Sequence, residues 1–502
     1  MRAAIRVVVL AAVAAACRRE ASPPSESGPR RLVIGQAASA ITLDPHGSDQ
    51  TNTAGALSHF FETLVAFGTE MELRPLLAER WENPSETVWR FHLRRGVAFH
   101  DGRPFTAEDA VFSIERARRP ESHVAYQLTT VAQVRASSPL TLEIVTTRPS
   151  PLLLNRLIYV PIMPRPTAPE RAGEPLGTGP YRFVSGEPGG TLVGRRFDGY
   201  WGARPAFEEV QIVALPNDQD RATAVGAGRA GIVAQFPVDH WDEGAGGSRT
   251  RLVSRRGLAV VYLGLSLRKG SPFADRRARE ALALAIDRND IVRESMHGLG
   301  APLAQLVPPW VAGHSSALTP VPHDLGRARR LLAAAGFRHG LSAPLFVQSN
   351  HADVARGVAA QLAQIGVHFD LTVVPQKDFY ERWSSEELPA SVFGWSAATG
   401  DASAAFEPLL HSPSSGLGRF NRFGYENPRL DELIAQADAA RSPEDRRVPL
   451  DEAARLVQTD WPVIPLALRH DLYAVRTDLE FRPRLDRHVR AMDVQPLPGP
   501  NR

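Results

Sequence analysis

Residues 89–113 read WRFHLRRGVAFHDGRPFTAEDAVFS, and three kinds of local order follow one another in them. Trp89, Phe91 and Leu93 alternate with Arg90, His92 and Arg94, the period of two expected of a strand with one buried face. Arg95-Gly96 and Asp101-Gly102 place turns on either side of Val97-Ala98-Phe99. Thr106 then stands where a helix N-cap is needed, with Asp109 three residues on in place of the usual capping-box glutamate. Val111, Ile114 and Ala117 continue at helical spacing, and the helix should end near Arg119, ahead of Pro120.

The same mixture extends both ways along the chain. Arg31–Gln36, Leu140–Val145, Leu192–Phe197, Val367–Val374 and Val463–Leu468 read as strands. Val260–Leu267 (VVYLGLSL) is a longer apolar run suited to the middle of a sheet. Ala278–Ile286, Leu325–Ala335, Val354–Ile365, Leu430–Ala440 and Glu444–Thr459 read as helices, the second and third closed by Gly336 and Gly366. Strands and helices alternate throughout with no fixed-period repeat, so the fold class is α/β. At 502 residues the chain is long enough for two or three structural units.

Composition removes several functions. With 43% hydrophobic and 23% charged residues, the chain is ordinary globular material. The net charge is +3, and Arg2 and Arg6 supply most of it, so nucleic-acid binding by bulk charge is excluded. All but two of the 58 basic residues are arginines. A single cysteine rules out an intramolecular disulfide and any multi-cysteine metal site.

Residues 1–16 carry Arg2 and Arg6 and then an apolar run from Val7 to Ala16. That run falls short of the ~20 residues a spanning helix needs and has the layout of a signal peptide. Ala14-Ala15-Ala16 precede Cys17, the sole cysteine. The arrangement resembles the lipobox of bacterial lipoproteins, which implies lipid attachment at Cys17 and a membrane-anchored, extracytoplasmic protein. Residues 17–30, rich in Pro and Ser, read as a flexible tether.

Catalytic signatures are missing. There is no His-Glu-x-x-His helix, no Gly-x-Ser-x-Gly elbow and no Walker loop. Gly177-Thr178-Gly179 lacks the third glycine of a dinucleotide fingerprint and reads as a turn before Tyr181. The histidines lack metal-ligand spacing, and no carboxylate pair stands in an apolar context. No enzyme, cofactor or metal site is expected.

Several blocks, taken in order, resemble the extracellular solute-binding proteins that serve peptide- and nickel-type ABC importers. They are Leu43–His46, Phe61–Leu64, Pro75–Trp81, the segment 89–113, Gly177–Tyr181, Tyr200–Gly202, Arg279–Arg288, Tyr425–Pro428 and Pro462–Leu466. The resemblance implies two α/β lobes joined by a hinge, with an extra subdomain inserted in the first. Lobe I would hold 31–65, 170–262 and 470–495, the inserted subdomain 66–169, and lobe II 263–469. Val260–Leu267 and the stretch Asp471–Val475 would cross between the lobes. The implied role is a monomeric, lipid-anchored binding protein. It would capture oligopeptides or similar polar solutes between the lobes and deliver them to permease subunits driven by ATPase subunits.

The resemblance also points to ligand-binding residues. Peptide-binding members carry a Trp-x-x-Asp stretch whose carboxylate meets the peptide amino group. Here the stretch is Trp395-Ser396-Ala397-Ala398-Thr399-Gly400-Asp401, with Ala398 in the acidic position. Trp395, Ser396, Ala398, Thr399 and Asp401 are the expected residues of one wall, and Ser48, Asp49 and Gln50 those of the other. Asp401 has two open roles, a displaced amine anchor or a brace for its loop. Because an ammonium buried without a carboxylate is costly, Ala398 keeps a non-peptide cargo, such as a nickel chelate or small conjugate, as the alternative. A secreted hydrolase is disfavoured by the missing motifs.

Overall fold

Two long antiparallel strands, Thr250–Leu265 and Val463–Arg476, run side by side through one 11-stranded sheet and hold its two halves together. The computed structural model describes residues 30–165, 175–241, 248–385, 388–414, 417–440 and 442–498. The expected signal peptide, Cys17 and the tether before Arg30 lie outside the described residues.

In the first half, Val463–Arg476 pairs through its C-terminal end with Ile232–Ala234. That short strand lies parallel to Arg31–Gln36, which in turn lies parallel to Glu209–Ala214. Leu192–Arg196 and Tyr181–Ser185 complete the order antiparallel. Leu32, Ile34, Phe60, Tyr181, Val210 and Tyr473 form its core. In the second half, Thr250–Leu265 pairs with Ala390–Ser396, followed by the parallel strands Leu341–Gln348 and Val367–Val374. Leu263, Leu282, Leu345, Val392 and Ile464 pack that half, and Phe379, Trp383, Phe393 and Phe406 form a second cluster against its other face.

A separate four-stranded antiparallel sheet has the order Ala78–Ser85, Val88–Leu93, Thr141–Thr146, Val131–Ser138. Phe91 and Leu93 of the alternating stretch face inward, onto Phe99, Phe105, Ile114, Leu142 and Ile144. The helix Ala107–Ala117 begins where expected. Asp109 accepts from the backbone N–H of Thr106 at 3.0 Å and from its hydroxyl at 2.8 Å. Among the described residues no helix is long and apolar enough to cross a membrane.

Two details concern the crossing strands. The stretches Val463–Leu468 and Asp471–Val475, expected as separate elements, are one strand. Arg469, His470 and Asp471 interrupt its apolar pattern because they face a cavity rather than a core. The register between the crossing strands slips between Arg256 and Val260. Gly257 lies in that slip, and a Cβ there would overlap the Asp471 carboxylate.

Candidate binding cleft

Strand direction decides where a cleft can open. Arg31–Gln36, Glu209–Ala214 and Ile232–Ala234 run parallel, as do Leu341–Gln348, Val367–Val374 and Ala390–Ser396. Ligands collect beyond the carboxyl ends of such strands, where backbone groups and diverging loops are free to meet them. Gln36, Gln235 and Phe236 from the first set and Gln348, Ser349 and Asn350 from the second line a cavity of about 600 Å³. Ser396 and Ala398, just past the end of Ala390–Ser396, line a second cavity of about 360 Å³. Thr51, Arg487 and His488 line both, so the two are adjoining chambers of one cleft.

The smaller chamber has apolar walls from Phe61, Phe67, Ile158, Tyr159 and Leu258, with the carboxylate of Glu62 among them. Burial pushes Glu62 up to about 7, against donors that favour its charged form. Those donors are Trp201 Nε1 at 2.9 Å, Thr178 Oγ1 at 2.8 Å and Tyr200 O–H at 2.9 Å. Glu62 thus ties the turn 177–180 and the Tyr200-Trp201 pair to the chamber wall.

The larger chamber is polar. Asp471 lies on its floor, 2.9 Å from Arg487 Nε. Burial pushes the Asp471 carboxyl up, and Arg487, Arg469 and His470 oppose that. Gln348 Nε2, His470 Nδ1 and Asp471 Oδ2 are buried without a hydrogen-bond partner among the described residues. Unpaired buried polar atoms cost about 1–3 kcal/mol each and call for an explanation at the site.

The structure brings some of the expected residues together and not others. Ser48, Asp49, Ser396 and Ala398 line the smaller chamber. Asp49 accepts from Tyr126 O–H at 2.8 Å. Gln50 lines the larger chamber. Trp395 lines neither: its Nε1 donates to Ala404 O at 2.8 Å and its ring packs 5.3 Å from Phe420. The Thr399 carbonyl accepts from Asn155 Nδ2 at 2.7 Å, a contact from the four-stranded unit to the far side of the cleft. Asp401 is 3% exposed and paired with Arg446 at 2.8 Å, while also accepting from Ser403 N–H. This is the bracing arrangement of the two left open by the sequence.

Gln348, His470, Asp471 and Arg487 were not singled out by sequence reasoning. The polar triplet Arg469-His470-Asp471 inside an apolar strand was the one available signal for the middle pair. Arg487, in an Arg-rich C-terminal segment, carried none. Among the described residues no group of three or more His, Cys, Asp or Glu side chains is placed to hold a metal ion.

The profile of the bacterial extracellular solute-binding proteins, family 5 (middle), matches residues 72–416. The glutathione-binding protein GsiB of Salmonella choleraesuis is 28% identical over 455 residues, covering 87% of this chain and 88% of that protein. Among solved structures, the periplasmic binding protein DppA of Helicobacter pylori, in complex with the peptide STSA, superposes with a TM-score of 0.80 at 22% identity. That match covers 93% of this chain and 98% of DppA. NikZ of Campylobacter jejuni, in complex with Ni(L-His), gives 0.79 at 20% identity, over 90% and 94%. These likenesses establish the two-lobed α/β fold.

Proposed function

The chain belongs to the bacterial extracellular solute-binding proteins of family 5, and on that premise we propose that it captures a small peptide or similarly sized polar solute between its lobes for an ABC importer. It is a binding protein and not an enzyme. The observation that supports the reading most is the cleft itself, two adjoining chambers beyond facing sets of parallel strand ends, crossed by two long paired strands. A cargo touching both walls favours the closed arrangement, and that arrangement is what the permease would meet. The boundaries 31–65, 170–262 and 470–495 for lobe I, 66–169 for the insert and 263–469 for lobe II are part of this proposal. The register slip at Gly257 supports a hinge close to the first of the crossing points.

A relative that binds glutathione and a cleft of about 600 and 360 Å³ both favour a cargo of a few residues. The cargo amine has no family carboxylate at Ala398, and Asp401 is taken by Arg446. Mass spectrometry of small molecules extracted from the purified protein should find a peptide or polar solute in near-stoichiometric amount. Small-angle scattering should show a smaller radius of gyration after that solute is added back to stripped protein. An empty extract, or chemical turnover of the solute, would refute the reading.

The anchor is the second part of the proposal. Cys17 follows Ala14-Ala15-Ala16 and precedes a polar tether, the order needed for lipidation and for reach above a membrane. Cys17→Ser should move the protein from the membrane fraction to the soluble one. Equal retention of wild type and variant would remove the anchor from the account.

A further inference from the structure

We propose that Arg487 is a cargo-binding residue that takes a carboxylate of the solute at the junction of the two chambers, with Gln348 completing the contact from the opposite wall. This rests on the solute-binding reading above and names the chemistry the cleft selects.

Arg487 is one of three residues that line both chambers. Its backbone has φ +67°, the left-handed region that a non-glycine residue occupies at a cost of roughly 1–3 kcal/mol when its surroundings hold it there. The holding contacts are its N–H to Arg484 O at 3.2 Å and its Nε to Asp471 Oδ1 at 2.9 Å. The two terminal guanidinium nitrogens make no hydrogen bond among the described residues, so the fork is oriented but unused. Two parallel N–H donors match the two oxygens of a carboxylate.

The charges are arranged by depth. Asp218, Asp239 and Asp353 stand at the rim, with side chains 61%, 65% and 50% exposed, and each has its own basic neighbour in Arg221, His297 and Arg356. Deeper in, the Asp471 carboxylate pairs with Arg487 and is also within electrostatic reach of Arg469, on which Asp239 acts as well. Arg487 keeps 31% of its side chain exposed to the cleft, so its guanidinium is open to a solute there. Arg469 spends one bond on Asn350 O at 3.3 Å.

The remaining unpaired atoms are suited to the same ligand. Gln348 is 9% exposed and its Nε2, a donor only, has no partner. It ends the strand Leu341–Gln348 in the second half of the sheet, whereas Arg487 belongs to the C-terminal segment of the first. An acidic group accepting from both would therefore join the two walls and favour closure. The loss of the family's carboxylate at Ala398 is consistent with recognition of the cargo at its acid end.

Calorimetric titration with reduced glutathione and its diethyl ester, and with trialanine and trialanine amide, tests this. Wild type should bind the acids more tightly than the ester or amide. Arg487→Met should lose about ten- to a hundredfold in affinity for the acids, the range expected for a charge-assisted pair, and leave the ester and amide unchanged. Gln348→Leu should lose a smaller factor in the same direction. If Arg487→Met fails to fold, the double variant Asp471→Asn/Arg487→Met, which leaves neither partner of that ion pair alone, carries the test. Equal binding of acid and ester by wild type, or folded variants that match wild type on the acids, would overturn the assignment. Should none of the four probes bind, the solute extracted from the protein decides, and one lacking a carboxylate overturns it. An empty extract instead tells against the solute-binding reading as a whole.

Discussion

Replacing Arg446 with methionine should destabilise the protein by about 3–5 kcal/mol, the usual result of stranding one charge of a buried pair. Arg446 and Asp401 have side chains 6% and 4% exposed and meet at 2.8 Å. Arg446 also donates to Ser403 Oγ at 2.9 Å and to the Ala437 carbonyl. It thereby ties the loop after Ala390–Ser396 to the helices Pro428–Ala439 and Pro443–Asp460. Without it, Asp401 retains the Ser403 N–H at 2.8 Å and, among the described residues, no cation within ion-pair distance. Urea unfolding of Arg446→Met, Asp401→Asn and the double variant separates charge from packing. The double variant should recover a large part of the loss, because neither charge is then left alone. No recovery would assign the effect to the lost packing of the long arginine side chain. An unchanged midpoint in Arg446→Met would show that the pair is dispensable. Asp401→Asn should act on stability and leave cargo affinity of the folded fraction unchanged, since Asp401 lines neither chamber.

The second large effect is loss of stability in mild acid. Burial holds His46, His59 and His100 down to about 4 and His351 to about 3, each from an ordinary value near 6.5. Hydrogen bonding explains why three of these rings stay neutral. His46 Nε2 faces Pro161 O at 2.9 Å while its Nδ1 faces an Arg116 N–H at 2.9 Å. His59 Nδ1 faces Ala56 O at 3.0 Å and its Nε2 accepts from Ala491 N–H at 3.0 Å. His100 Nε2 faces Gly179 O at 3.0 Å and its Nδ1 accepts from Gly177 N–H at 3.4 Å. In every case a second ring proton would point at a donor. The unfolded chain binds these protons near pH 6.5 and the folded one only near 4. Their stability contribution is therefore complete above 6.5 and lost as the pH falls toward 4. A shift of that size corresponds to about 3 kcal/mol for a fully buried ring such as His46 or His59. Glu62, raised from 4.5 to about 7, acts in the opposite direction: its burial costs least below 4.5 and most above 7. Glu407 and Asp471 are raised as well, but His314, His470 and His488 are also lowered, so seven rings against three carboxyls leave a net loss. The urea midpoint should fall steadily between pH 6.5 and 4.5, and His59→Gln should flatten part of that fall. A midpoint that is constant over this range would contradict the hydrogen-bond arrangement.

Much of the fold was legible because local rules and tertiary packing agree in it. The strand Val367–Val374 and its preceding Gly366, at φ +84°, stand where periodicity and the glycine put them. The capped helix after Thr106 and the inward Phe91 and Leu93 follow from hydroxyl placement and a period of two. The crossing strands were legible only in part. Thr250–Gly257 carries Arg251, Arg255 and Arg256, and the middle of Val463–Arg476 carries Arg469, His470 and Asp471. Apolar periodicity fails in both, in the second because Arg469, His470 and Asp471 face the cleft. It fails in the first because Arg251 and Arg255 reach the Leu479 and Pro483 carbonyls while Arg256 lies over the Trp310 ring.

The candidate site divides in the same way. Sequence pattern alone determined the α/β class, the family scaffold and the absence of acid at position 398, since each depends on residues close together in the chain. It also brought Ser48, Asp49, Ser396 and Ala398 into consideration, and these do line one chamber. The role of Asp401 depended on Arg446, 45 residues away on a helix with no local link to it. The place of Arg487 depended on Asp471 and on chambers that exist only once the C-terminal segment packs between the sheet ends. Only the tertiary structure decides such matters, because a charge's partner and a cavity's walls are properties of long-range packing, which the spacing of neighbouring residues does not encode.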